Sequence, residues 1–508
     1  MQSSFFLSFD YICNMKNLYY FKLYLFVLIL IGCESAENKE NRIPFEKLST
    51  DHTGVNFSNN ITPNLESSEN LFDYDYFYNG SGVGIADINN DGLKDILFTA
   101  NQEENKLYLN KGNLRFEDIT SLSNINSENK RWSSGVTFAD INDDGWLDIY
   151  ISQGGPNKPE SRKNLLLINN KDLTFTEMAT QYGLDDKGIS TQSAFFDFDK
   201  DGDLDCMVMN ENEFYGYDPI SFFEKYNDKS VLLANSSHLY EQIDGKFINI
   251  TENAGLLSPT FGLGLCISDI NNDNWPDIYI ANDYYVKDAM YINNQDGTFT
   301  NRIKESTKQI SFYGMGVDIE DINNDNLADI FVLDMASSDH VRSKTLMASM
   351  NTSNFDLITN KLDQHYQYMF NSLQLNLGNN KYHNISHQLN MAKTDWSWAG
   401  LIFDYNLDGN EDIFVTNGYR KYGSDNDSRI RINETKRQYN NKVPVEMKKR
   451  LYDELPSEKL PNLLYKNEGD LRFKEVGNNS ALNDPSFSNG AAYADLDNDG
   501  DLEIIVNN

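Results

Sequence analysis

The segment Asp87–Ile96, DINNDGLKDI, sets acidic or amide side chains at its first, third, fifth and ninth positions and glycine at its sixth. One such cluster decides nothing, because aspartate, asparagine and glycine are also ordinary turn formers. The frame recurs, however, as DINDDGWLD from Asp140, DFDKDGDLD from Asp197, DINNDNWPD from Asp269, DINNDNLAD from Asp321, DYNLDGNED from Asp404 and DLDNDGDLE from Asp495. Seven copies begin 53, 57, 72, 52, 83 and 91 residues apart, which is the behaviour of a repeat protein rather than of an acidic composition.

The surroundings of each copy repeat as well. A small, glycine-rich apolar run precedes the loop (SGVGIAD, SGVTFAD, NGAAYAD), and a strand-like run follows it (ILFTA, IYISQ, IFVTN). Most units continue with a third strand and a tight hairpin, as in KLYLNKGNLRFEDIT and AMYINNQDGTFTNRI. Alternation with period two between turn residues marks antiparallel strands. Four strands per unit in seven units predict an all-β fold, a seven-bladed β-propeller of four-stranded antiparallel blades spanning residues 45–508. The first strand of each unit should line the central channel, where converging blades leave room only for residues such as Gly82, Gly84, Gly490 and Ala491. FEKLS at Phe45–Ser49 echoes FEDIT at Phe116–Thr120, so an N-terminal fourth strand is expected to complete the last blade. The third strand of that blade is missing before Asn508, and the chain is expected to be part of a longer protein.

The loop frame suits calcium, which takes six to eight hard oxygen ligands in a flexible shell. Side chains at positions one, three, five and nine and the carbonyl at position seven would supply them. In the first loop these are Asp87, Asn89, Asp91, Leu93 and Asp95; in the second Asp140, Asn142, Asp144, Trp146 and Asp148; in the third Asp197, Asp199, Asp201, Asp203 and Asp205. The fourth offers Asp269, Asn271, Asp273, Trp275 and Asp277, and the fifth Asp321, Asn323, Asp325, Leu327 and Asp329. The sixth offers Asp404, Asn406, Asp408, Asn410 and Asp412, and the seventh Asp495, Asp497, Asp499, Asp501 and Glu503. Five loops carry three carboxylates at these positions and two carry four, an arrangement that like-charge repulsion disfavours without a cation. Up to seven Ca2+ ions are expected. Asn274 and Asn326 replace the position-six glycine, so the fourth and fifth loops are expected to bind more weakly. An EF-hand is excluded, since position twelve is Phe98, Val208 or Val506 within a strand rather than glutamate on a helix.

With 43 Lys and Arg against 77 Asp and Glu, the net charge of −34 argues against a nucleic-acid partner. An aromatic content of 13% argues against disorder. From Met15 the chain reads MKNLYYFKLYLFVLILIGC, which resembles a bacterial lipoprotein signal. Residues 1–33 are accordingly expected to be a signal peptide with its true start at Met15, Cys33 the lipidated residue and residues 34–44 a flexible tether. The competing reading is an uncleaved anchor helix, although Leu23–Gly32 is short for a span. The expected location is extracytoplasmic, at the bacterial outer membrane or cell surface, with the lipid as the only membrane contact. Cys206 and Cys266 stand in apolar strand-like runs and read as buried structural thiols.

The seven loops resemble those of the FG-GAP/VCBS repeat family. KTLMASMN, TDWSWAG, VTNGYRK and LPSEKLPNLLYKN carry a closer likeness to the bacterial ASPIC/UnbV-type lipoproteins related to cartilage acidic protein. The resemblance implies a propeller, and a C-terminal ASPIC/UnbV region beyond this sequence.

Insertions at Asn210–Asn235, Asp334–Tyr368 and Gly418–Pro461 should rise on the face opposite the loops, the last with a short helix in VPVEMKKRLYDEL. Eight residues before five of the loops stand Trp132, Phe261, Tyr313, Trp396 and Phe487. They are either an aromatic collar for sugar or peptide, or packing between blades. Trp398, Tyr419 and Arg420 are the exposed candidates beside them. The six histidines form no HExxH helix and no nucleophile elbow. The sequence therefore favours a non-catalytic scaffold for a glycan or protein ligand over a propeller-based polysaccharide lyase or glycoside hydrolase.

Overall fold

A computed structural model describes residues 45–126, 132–346 and 352–508; the signal peptide, Cys33 and the tether lie outside them. Six four-stranded antiparallel sheets follow one another along the chain, each a simple meander. The first runs Val83–Ala86, Asp95–Phe98, Lys106–Asn110, Phe116–Asp118, and the second Ser133–Ala139, Asp148–Gln153, Leu165–Asn169, Phe175–Glu177. The sixth, Ser397–Phe403, Asp412–Asn417, Leu463–Asn467 and Phe473–Glu475, is followed by a two-stranded pair, Ala491–Ala494 with Glu503–Val506. The fold is all-β and propeller-like. Every acidic loop joins the first two strands of its sheet, as the repeat implies.

Alternation between two buried faces explains why the second and third strands are largely apolar. Ile149, Ile151 and Leu167 pack towards the first sheet, while Tyr150, Leu166 and Ile168 point the other way, onto Cys206 and Val208 of the third sheet. Both faces are buried between neighbours, so the core is a series of layers between sheets. Each large side chain buried this fully contributes roughly 1.5–3 kcal/mol. Another such layer joins Val83, Ile96 and Phe98 of the first sheet to Leu496, Ala492 and Ile505 of the last pair.

The first strands pack successively against one another, from the first sheet through to the last pair, which in turn contacts the first. Small residues permit this. A Cβ on Gly264 would lie 2.4 Å from the Met315 carbonyl oxygen, and one on Gly316 would lie 2.0 Å from that of Trp398.

Two features depart from the sequence reading: the Phe45–Ser49 segment and the burial of Cys266. Phe45–Ser49 forms no strand; the regular structure there is a helical turn at Thr50–Thr53. Glu503–Val506 is half-buried along its whole length, whereas the second strand of each of the other six sheets is fully buried. Cys206 is buried and unpaired, while Cys266 is only half-buried and also unpaired. The insertions carry the longer helices, including Asn426–Gln438 and Val445–Asp453, the second of which matches the expected short helix. Among the described residues no helix is long and apolar enough to cross a membrane.

Candidate functional site

Each acidic loop is organised by its own carboxylates. In every loop but the third, the first aspartate accepts the position-five and position-six N–H groups, as in Asp91 N to Asp87 Oδ1 (3.2 Å) and Gly92 N to Asp87 Oδ2 (2.8 Å); in the third only Gly202 N reaches Asp197. The last carboxylate ties loop to sheet, since Asp95 accepts from Ile88 N at 3.0 Å and Asn110 N at 2.7 Å. The same pair of bonds recurs at Asp148, Asp205, Asp277 and Asp329. Each anchored oxygen keeps a second lone pair for another donor or a cation.

Position six is left-handed in every loop: φ is 86° at Gly92, and Asn274 and Asn326 adopt 65° and 64°. Position four is left-handed as well, which sequence reasoning missed: Asn90, Asp143, Lys200, Asn272, Asn324, Leu407 and Asn498 all have φ between 54° and 62°. Where asparagine stands there, its amide reaches the neighbouring loop, as from Asn90 to the Gly145 carbonyl (2.9 Å) and from Asn498 to that of Gly92 (3.1 Å).

The third and seventh loops differ from the rest in having aspartate rather than asparagine at position three. Carboxylate oxygens of Asp197, Asp199 and Asp205 lie within 4.8 Å of one another, as do those of Asp495, Asp497 and Glu503. Asp197 Oδ1, Asp203 Oδ1 and Asp497 Oδ1 are buried with no hydrogen-bond partner. In the first, fourth and fifth loops the position-three amide instead donates to the position-five carboxylate, as Asn89 does to Asp91 (2.9 Å). Lys171 and Lys466 sit 3.3 and 3.2 Å from Asp144 and Asp408 in the second and sixth. Burial, reinforced by the neighbouring loop carboxylates, raises the last acid of every loop. Asp95 and Asp148 reach about 6, and Asp205, Asp277, Asp329, Asp412 and Glu503 about 7. A buried oxygen without a donor, among acids that resist ionisation, fits a hard cation such as calcium.

The opposite face is closed by a segment that sequence reasoning passed over. Ile61, Leu71, Tyr74, Tyr76, Phe77 and Tyr78 are all buried where the first strands begin, and Asp73, Asp75 and Phe72 join them in bridging several sheets. Tyr74 donates to Glu211 (3.0 Å), Tyr76 to Asp283 (3.0 Å), and Tyr284 to Asp75 (2.8 Å). Tyr419 donates to the Asp75 carbonyl (3.0 Å), and Lys448 pairs with Asp73 (2.7 Å). The signal was present in LFDYDYFY at Leu71–Tyr78, an aromatic density that no solvated linker needs. Burial lifts Glu211 to about 8 and Asp283 to about 7, against the pull of their tyrosine donors.

This plug decides the fate of the expected collar. Trp132, Phe261 and Trp396 are buried beneath it: Trp132 meets Tyr74 edge-on at 6.1 Å, Phe261 lies 5.1 Å from Tyr284, and Trp396 stacks on Tyr419 at 4.1 Å. Tyr313, Trp398 and Phe487 are half-buried. Tyr419, expected exposed, is only 4% exposed, because it stacks between Trp396 and Trp398. Arg420 is exposed and donates to the Ile61 carbonyl (2.9 Å). The aromatics are chiefly packing between sheets and plug.

The FG-GAP-like repeat family matches residues 69–151 and 269–332. Cartilage acidic protein 1 of Xenopus tropicalis is 31% identical over 170 residues, 33% of this chain. The match spans only 25% of that relative's length. Among solved structures, an Agrocybe aegerita lectin that recognises non-reducing terminal N-acetylglucosamine has a TM-score of 0.42 and 15% identity, over 86% of this chain and 88% of the lectin. The V. cholerae biofilm matrix protein Bap1 has a TM-score of 0.30 and 14% identity, over 51% of this chain and 35% of that one.

Proposed function

We propose that this chain of FG-GAP-like repeats is a calcium-stabilised, seven-bladed propeller of the ASPIC/UnbV type, anchored outside the cytoplasm by lipid on Cys33. It serves as a binding scaffold for an extracellular glycan or protein, not for nucleic acid. The observation that carries the calcium reading is the convergence of three carboxylates in the third and seventh loops, each with a buried, unpartnered oxygen. The remaining five loops offer weaker versions of the same cage.

Seven blades are supported by two contacts that join the ends of the repeat: Asn498 to the Gly92 carbonyl and Asn507 Nδ2 to the Gly82 carbonyl (2.8 Å). A third sign is the turn at Thr50–Thr53. A Cβ on Gly54, just after it, would meet the Phe116 carbonyl at 2.4 Å, as one on Gly183 would meet that of Phe247 at 2.5 Å. Gly183 closes the turn after the second sheet and abuts the third, so Gly54 stands where a turn following a last blade would abut the first. A binding role is favoured over catalysis because the buried acids Glu211 and Asp283 are each held by a hydrogen bond from a plug tyrosine, which fixes them in place rather than freeing them to shuttle a proton.

The test is thermal melting of the mature segment in excess calcium and after chelation, with metal content determined on the same sample. Several bound ions and a large upward shift are expected, since a ligand held only by the folded state stabilises it by mass action. Absence of both would remove the calcium reading. Cys33→Ser should release the protein from the membrane fraction; an unchanged distribution would remove the lipid anchor.

A further inference from the structure

Beside the plug lies a cavity of about 530 Å3, within the range of small-ligand sites (about 300–1,000 Å3). One wall is aromatic, built from Tyr76, Tyr284, Trp396 and Trp398. Asp75 and Asp283 line it as well, and helix Asn426–Gln438 supplies Arg429, Asn433 and Lys436. Arg429 and Asn433 are exposed, which marks the rim.

Three groups bordering this space are buried and have no hydrogen-bond partner: Asn79 Nδ2, Trp396 Nε1 and Ser424 Oγ. Trp396 is 7% exposed. Buried polar groups are rarely left unmade, and each orphan points to a missing partner. Their chemistry discriminates between occupants. The amide and indole N–H groups donate only, so the occupant must offer acceptors, which a quaternary ammonium lacks. The carboxylates of Asp75 and Asp283, both raised by burial, donate when protonated and only accept when ionised, so a group that does both suits either state, and in the ionised state they repel an anion. Arg429 and Lys436 at the rim oppose a cation. An apolar occupant would satisfy none of the three orphans. Hydroxyl groups both donate and accept, and a pyranose adds C–H faces that pack on aromatic rings.

We propose that this cavity is a binding site for a neutral saccharide, one pyranose unit deep, with Asn79, Trp396 and Ser424 as donors to its oxygens and Asp75 and Asp283 as acceptors from its hydroxyls. The proposal rests on the scaffold reading above and gives it a place and a ligand class, but it does not depend on metal in the loops.

The test is isothermal titration calorimetry of the full chain with methyl glucoside, methyl galactoside and methyl mannoside, with choline and glucuronate as charged comparators. Calcium-dependent melting is measured on the same preparation. At least one neutral pyranoside should bind saturably and quench tryptophan fluorescence. Trp396→Phe, which keeps a ring but loses the N–H, should weaken it about tenfold, as expected for truncation of a buried anchor. Ser424→Ala, at the border of the cavity, gives an independent loss should the first variant fold poorly. Binding of none of the three pyranosides overturns the proposal, as does tighter binding of choline or glucuronate, or binding indifferent to both variants. A preparation stabilised by calcium yet inert to pyranosides removes the cavity assignment alone. One that binds pyranoside without calcium stabilisation removes the metal reading alone.

Discussion

Loading metal-free protein with calcium should expel protons, and the amount can be worked out. The last carboxylate of five loops (Asp205, Asp277, Asp329, Asp412 and Glu503) sits at about 7, so at pH 7 each is about half protonated. Asp95 and Asp148, at about 6, add little. A coordinating carboxylate must be ionised, so saturation should release roughly two to three protons per molecule at pH 7 and almost none near pH 9. Calorimetric titration at pH 7 in PIPES, HEPES and Tris measures this, because the slope of apparent enthalpy against buffer ionisation enthalpy is the number of protons released. The same groups set a pH trend for the metal-free protein. Their folded values lie above the unfolded value of about 4, so the folded state holds more protons between pH 4 and 7. Stability without metal therefore falls as pH rises through that window, and saturating calcium should abolish or reverse the fall. Calcium uptake at pH 7 with no proton release would refute the reasoning, because the last carboxylates would then be neither buried as described nor part of the cage.

Gly316→Ala should destabilise the chain by about 1–3 kcal/mol or more in urea unfolding, since its Cβ would lie 2.0 Å from the Trp398 carbonyl; an unchanged midpoint would argue against the tight ring of first strands. Leu407→Asn should raise stability by roughly 0.5–1 kcal/mol, because leucine holds φ 56° there, where asparagine serves in four other loops; a loss would mean that its exposed side chain packs after all. His238 and Asp186 form a buried ion pair. Burial pulls the imidazole down, but Asp186 and the Leu233 carbonyl outweigh it and leave His238 raised. Its stabilisation is full below about pH 6.5 and lost as pH rises through the raised folded value. Burial pushes Asp186 up, but His238 and the Tyr240 hydroxyl hold it at about 2, so its share is lost only as pH falls from about 4 towards 2. With calcium saturating, melting temperature should fall from pH 7 to 8.5, and His238→Gln should flatten that slope.

The sheets were legible because each repeat writes its pattern twice, in strand alternation and in the loop frame. The glycines of the first strands were legible for the same reason, as only small residues fit where strands converge. What escaped was long-range. The asparagine ending the third strand, such as Asn110 or Asn169, donates to the preceding sheet's loop at Leu496 or Ile88 (2.7 and 2.8 Å), a brace that no local pattern announces. The plug was hidden for a different reason. Tyr74, Tyr76 and Asp75 find partners more than 130 residues away, at Glu211, Asp283 and Tyr284. Nothing in the spacing of LFDYDYFY foretells which acids it will meet, and so the sequence left open whether the collar aromatics were free or packed.

The amide bridges between loops are unevenly spread. They run from Asn90 to Gly145, Asn272 to Asn326, Asn324 to Gly409 and Asn498 to Gly92. Asp143, Lys200 and Leu407 stand at the corresponding places where, among the described residues, no such bridge is made. The rim is thus two arcs, one joining the seventh, first and second loops and one joining the fourth, fifth and sixth, with the third loop standing apart. A cation that stiffens one member of an arc spares its neighbour part of the ordering cost, so sites within an arc should fill together. The third loop, with four aspartate side chains at the ligand positions, should titrate as an independent site. The sequence of filling would then be written not in the ligands alone but also in a single side chain between them.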